Sequence, residues 1–149
     1  MAIWGVGVKF GGWDNKLASF ITENFWCTGF SEEEKPDVYE TLKEIKIGDI
    51  IYAKSMFKTA DTMNVRAVGI VTDTFKNSNS HIGFENCSNE IGVKWLIGNP
   101  KDAEKVLIQI KVDDQYINER KTTIFKERNL DIIQKVVALL KSKDSLSLL

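Results

Sequence analysis

Apolar positions recur along the chain with two periods, and the switches between the two mark out its elements. Near the start, Ile3-Trp4-Gly5-Val6-Gly7-Val8 is a strand with close-packed glycines, broken by Gly11-Gly12. Asp14 stands where it can cap a helix over residues 15–23, whose Leu17, Phe20 and Ile21 share one face at spacings of three and four. Phe25-Trp26-Cys27-Thr28 reads as extended and ends at Gly29. After an acidic, solvated run over 31–35, Pro36 suits the first turn of a second helix with Val38, Leu42 and Ile45 as its buried stripe. Ile47-Gly48-Asp49 is a turn into the strand Ile50-Ile51-Tyr52-Ala53. Further strands are expected over 65–72 and over 91–97, the latter with Trp95 in the core. Residues 77–89 are polar and loop-like. Val106, Ile108, Ile110 and Val112 alternate with polar neighbours, the period-two sign of a half-buried strand. The end of the chain, 129–143, is a helix with a broad apolar face made by Ile132, Ile133, Val136, Val137, Leu139 and Leu140.

These strands and helices do not alternate strictly, which disfavours a doubly wound parallel sheet. The expectation is an α+β fold: a curved, mixed sheet or small open barrel flanked by about three helices. The 149 residues show no repeat, linker or low-complexity tract, so 1–149 reads as one domain. At 43% apolar and 28% charged residues, the composition is that of a packed chain. No run of about 18 apolar residues occurs, and the first ten residues lack the basic start and cleavage site of a signal peptide. A cytoplasmic location without membrane attachment is therefore expected. A net charge of −1 counts against a protein that grips long nucleic acid through many phosphates, but it is compatible with a site for one nucleotide.

The chemistry-bearing motifs of common enzymes are missing. There is no phosphate-binding GxxxxGK[ST] loop, no HExxH, no zinc-deaminase signature and no GxSxG. Cys27 and Cys87 form no CxxC pair, and with His81 as the one further soft ligand they fall short of a zinc site. Both cysteines are expected to be reduced and structural, and His81 to be a solvated loop residue. No cofactor or metal is expected, and a binding module is favoured over an enzyme. The four tryptophans are the informative excess. A flat, polarizable indole stacks on any nucleobase, worth roughly 1–3 kcal/mol per base, although burial in a core is its commoner use.

In order and spacing of segments, nearly the whole chain resembles the YTH domain and the wider PUA-like group that includes EVE domains. The most specific piece is Asn24-Phe25-Trp26-Cys27-Thr28. It is followed by a helix over 38–45, a strand over 50–55, a strand over 65–71 around Gly69, the run Val93-Lys94-Trp95-Leu96, and a late segment over 120–128 ahead of the last helix. The resemblance implies a pocket for a modified base, such as N6-methyladenine, in DNA or RNA. It implies that Trp26 forms one wall and that Cys27 and Thr28 read the base edge. The second wall is a tryptophan in that family, and Phe84 is the nearest aromatic here. The chain is also similar to the N-terminal domains of McrB-type restriction systems, which flip a modified base out of the duplex and work beside a separate motor or nuclease.

The expected site thus sets Trp26 against Phe84, with Trp13 or Tyr52 at the rim. Lys54, Lys58, Lys126 and Arg128 are expected to hold the flanking phosphates. The alternative is a hydrolase of the ASCH-like branch acting on a small nucleoside-type substrate, for which Lys9, Lys54 and Glu23 are candidates. A third reading, a protein-interaction domain, would instead require an exposed apolar patch.

Overall fold

A computed structural model describes residues 1–12, 14–56, 61–76, 87, 90–112 and 114–147. Its strands are β1 (Ile3–Gly7), β2 (Lys9–Phe10), β3 (Asp14–Asn15), β4 (Phe25–Trp26), β5 (Ile50–Ser55), β6 (Thr62–Lys76), β7 (Glu90–Ile97), β8 (Ile108–Lys111) and β9 (Ile124–Lys126). Its helices are α1 (Leu17–Glu23), α2 (Pro36–Leu42) and α3 (Leu130–Ser147). Among the described residues, seven strands join in one sheet in the order β4-β7-β6-β5-β1-β9, with β8 also on β6. Only β1 and β5 run parallel there, Ile3 opposite Ile50 through Gly7 opposite Lys54, and the other pairings are antiparallel. The result is an α+β fold with a strongly curved, mixed half-barrel sheet and three helices.

Alternation along β1 and β5 buries both faces of the sheet. Trp4, Val6, Ile51 and Ala53 point into one layer with Leu17, Phe20, Trp26, Leu42, Val93 and Trp95. Ile3, Ile50 and Tyr52 point into a second with Met63, Val65, Ile110, Phe125 and the α3 residues Ile132, Val136 and Leu140. Gly5 lies where a side chain has no room, since a Cβ there would sit 2.5 Å from the Phe125 ring.

The register of β6 changes beside the end of β5. Ala53 pairs with Ala67 but Lys54 pairs with Val65, leaving Arg66 as the extra residue of a bulge. A bulge re-aims side chains. Here it sends Val65 and Ala67, two residues apart, into opposite layers.

Local chemistry shifted several expected boundaries. Asp14 does not cap α1: it pairs with Phe10 in the β2–β3 hairpin, and the Asn15 side chain accepts the Leu17 N–H at 3.0 Å instead. Asn24 ends α1 in the left-handed region (φ 58°), a conformation that Asn tolerates better than most residues. In α2 the buried pair is Tyr39 and Leu42, with Val38 half-buried, because the Tyr39 hydroxyl donates to the Phe30 carbonyl at 2.7 Å. Val106 is exposed, so the strand expected there begins later, at β8. No described helix is long and apolar enough to cross a membrane.

Candidate functional site

Beyond the carboxyl ends of the parallel pair β1 and β5, the chain leaves a cleft of about 520 Å³. Three segments close around it: residues 7–12, which run from the end of β1 through β2 to Gly11 and Gly12, the turn over 27–30 that follows β4, and the 121–123 segment ahead of β9. Its apolar side is made by Phe10, Phe30 and Met56, all partly exposed. The Phe10 ring lies against Gly29, where a Cβ would meet it at 3.0 Å. The cationic side is made by Lys9, Lys54, Arg66 and Lys121, and none of the described lining residues is acidic.

Each cation is held by the local fold. Lys54, at the end of β5 and only 6% exposed, donates to the Thr122 carbonyl at 2.6 Å and stands 5.7 Å from the centre of the Phe125 ring. Burial disfavours its charge and pulls its pKa down to about 8. Arg66, re-aimed by the bulge, donates from Nε to Ser55 Oγ at 3.0 Å and from its guanidinium to the Glu104 carbonyl. The Glu104 carboxylate lies 3.7 Å from Arg66 and 3.9 Å from Lys9. It also accepts from Asn15 Nδ2, and that hydrogen bond leads the causes that hold its carboxyl below the ordinary value.

The expected site residues divide among several places. Thr28 and Cys27 line the cleft, as does Lys54. Thr28 is almost fully buried, and its hydroxyl accepts the Phe30 N–H at 3.2 Å, so it shapes the turn that carries Phe30. Cys27 is not a free thiol: it is disulfide-bonded to Cys87, with a Cα–Cα distance of 5.6 Å, which corrects the expectation of two reduced cysteines. The antiparallel pairing of β4 with β7 carries Cys27 toward the chain entering β7, a contact across 60 residues that no spacing motif announces.

Trp26 is fully buried in the core rather than open at a cleft wall. Its indole N–H donates to the Gly7 carbonyl at 2.9 Å, so it braces the cleft from behind. Tyr52 is not at the rim either. It faces the α3 layer, where its hydroxyl donates to Glu127 at 2.6 Å and its ring meets Phe125 edge-on. Burial first, and then the Glu127 carboxylate, push its pKa well above the ordinary tyrosine value.

Lys126 and Arg128 are exposed in a separate groove of about 290 Å³, which Glu44 and Glu119 also line. Arg128 lies 3.6 Å from Glu119. Two carboxylates make that groove a poor phosphate track. Trp13, Phe84 and Lys58 lie outside the described residues, as does His81.

Phe10, Phe30, Arg66 and Lys121 are cleft residues that the sequence pattern did not single out. A weak signal existed for Phe10, which ends an apolar strand next to a glycine pair. Arg66 sits inside a strand pattern, and only the bulge turns it toward the cleft. Among the described residues no group of three or more His, Cys, Asp or Glu is placed to hold a metal. No known family's sequence profile matches the chain, and no curated protein matches it.

Proposed function

We propose that the chain is a nucleic-acid-binding module of the PUA-like kind, similar to YTH and EVE domains, that receives one modified base of DNA or RNA in this cleft. The observation that carries the reading is the two-sided lining: the partly exposed aromatic side chains of Phe10 and Phe30 on one side, and buried or half-buried cations with no carboxylate among the described lining residues on the other. A base needs an apolar surface to stack on, and its nucleotide brings negative charge. Phe10 and Phe30 take the wall role that the resemblance gave to Trp26 and Phe84. A single compact cleft also suits a chain of net charge −1, because base flipping relies on a pocket rather than a long basic track. Action beside a separate motor or nuclease partner belongs to the same proposal.

The test is a binding screen of short oligonucleotides, each carrying one modified base, against unmodified controls at fixed salt. One modified base bound at least tenfold more tightly than its control, with the preference lost in Phe30→Ala, is the expected result. Equal affinity across the panel defeats the reading.

The hydrolase alternative has one observation in its favour, the convergence of Lys54 with Thr28 and Thr122 on one cleft. Glu23, its candidate carboxylate, is instead exposed at the end of α1. Turnover of amide-bearing nucleosides that disappears in Lys54→Met would favour it over the binding module.

A further inference from the structure

Resting on that reading of the cleft, we infer that its occupant delivers an anionic oxygen group to the Lys54 ammonium, inside the cleft and not along an outer phosphate track. The shared chemistry is a phosphate of the bound nucleotide or a carboxylate carried on its base.

Among the described residues, no carboxylate pairs with Lys54. Among the described residues it makes a single hydrogen bond, to the Thr122 carbonyl, and no ion pair. An ammonium has three donors, so that carbonyl leaves two unspent among the described residues. Burying an ammonium without an anion is unfavourable, and folds ordinarily pair such groups. The carboxylates nearby are committed elsewhere. Glu104 faces Lys9 of β2 and Arg66 of β6. Behind the Phe125 ring, Glu127 takes Arg120 at 2.6 Å and the Tyr52 hydroxyl. Lys121 adds further positive charge to the lining. An anion entering here supplies the counter-ion that the described residues withhold.

The same geometry sets a pH signature. With its pKa at about 8, free Lys54 is mostly charged near pH 7 and mostly neutral near pH 9. An anion binds the charged form and raises that pKa, so binding takes up a proton as pH rises through about 8. Affinity falls roughly tenfold between about pH 7 and about pH 9.

The experiment is titration calorimetry at both pH values, in buffers of different ionisation enthalpy. The probes are sodium sulfate, uncharged nucleosides, nucleoside 5′-monophosphates and a carboxylated pyrimidine nucleoside. Charged probes are expected to bind, with proton uptake at the higher pH. Lys54→Met should lose this binding, whereas Lys54→Arg should keep it and lose the pH dependence, because the guanidinium stays charged. The two charged nucleoside probes separate phosphate from carboxylate as the source. Binding of sulfate and nucleotides with equal affinity, both dependent on Lys54, upholds the anion site while removing the base reading. Uncharged nucleosides that bind as tightly as charged ones, and equally well in Lys54→Met, overturn the inference and leave the base reading standing. Failure of every charged probe to bind also overturns it.

Discussion

Two regions of the protein bury a cation, and they treat it in opposite ways. In the α3 layer, Arg120 is fully buried and fully partnered: Asp114 and Glu127 each stand 2.6 Å from its guanidinium, and Asn129 and Tyr52 tie those carboxylates down in turn. At the cleft, Lys54 is nearly as buried, and among the described residues its one hydrogen-bond partner is a backbone carbonyl. The first arrangement is closed, with every charge answered within the fold. The second is left open on the side of the cleft. A buried charge with complete partners holds structure together, whereas one with incomplete partners is the kind that we propose a ligand completes.

The comparison can be broken by mutation. The largest effects belong to the closed regions. Glu127→Gln removes one of the two carboxylates that answer the buried Arg120 guanidinium and should cost about 3–5 kcal/mol in denaturant unfolding. If the variant is as stable as the wild type, the network is not the structural half of the contrast. Trp26→Ala should cost a similar amount, about 3–5 kcal/mol, because the indole is buried and braces Gly7. A Trp26→Ala protein that stays fully stable yet loses base selectivity would return the cage role to Trp26.

The disulfide comes next. It closes a loop across 60 residues beside the cleft, so Cys27→Ser with Cys87→Ser should lower stability by roughly 2–4 kcal/mol, read from melts with and without reductant.

Lys54 gives a smaller effect of the opposite sign. Its folded pKa, about 8, lies below the ordinary lysine value of 10.5, so the unfolded chain holds more protons between the two. Wild-type stability relative to Lys54→Met should therefore rise on the order of 2–3 kcal/mol between about pH 8 and about pH 10. A flat difference would mean that Lys54 is not desolvated. The smallest effect belongs to an exposed pair, Lys135 with Asp131 at 2.9 Å on α3. Lys135→Met should shift stability by no more than about 0.3–0.5 kcal/mol.

Much of the fold was legible in the order of residues. The apolar runs over 3–8, 50–53 and 91–97 and the three-and-four spacing of Leu17, Phe20 and Ile21 are local patterns, and local patterns specify strands and helices. The α+β class and the mixed, curved sheet followed from the sequence of those elements. Short elements were not legible: β2, β3 and β9 have two or three residues each, too few to show a period. The site was legible only in part. Cys27, Thr28 and Lys54 do reach one cleft. Trp26, Tyr52, Lys126 and Arg128 were misplaced because residue type says which surface a side chain suits, and not which layer its strand turns it toward.

The sequence alone determined the longer strands and helices and the buried stripes of α1 and α3, since hydrophobic period and turn chemistry act over a few residues. Only the tertiary structure decided that Phe10, Phe30, Lys54 and Arg66 share a cleft, that Cys27 meets Cys87, and that Trp26 stands behind the site rather than in it. Those outcomes depend on the parallel pairing of β1 with β5, on one bulged residue in β6 and on a contact across 60 positions. Each is a long-range register choice, and a one-residue change in register reverses the face to which a side chain belongs.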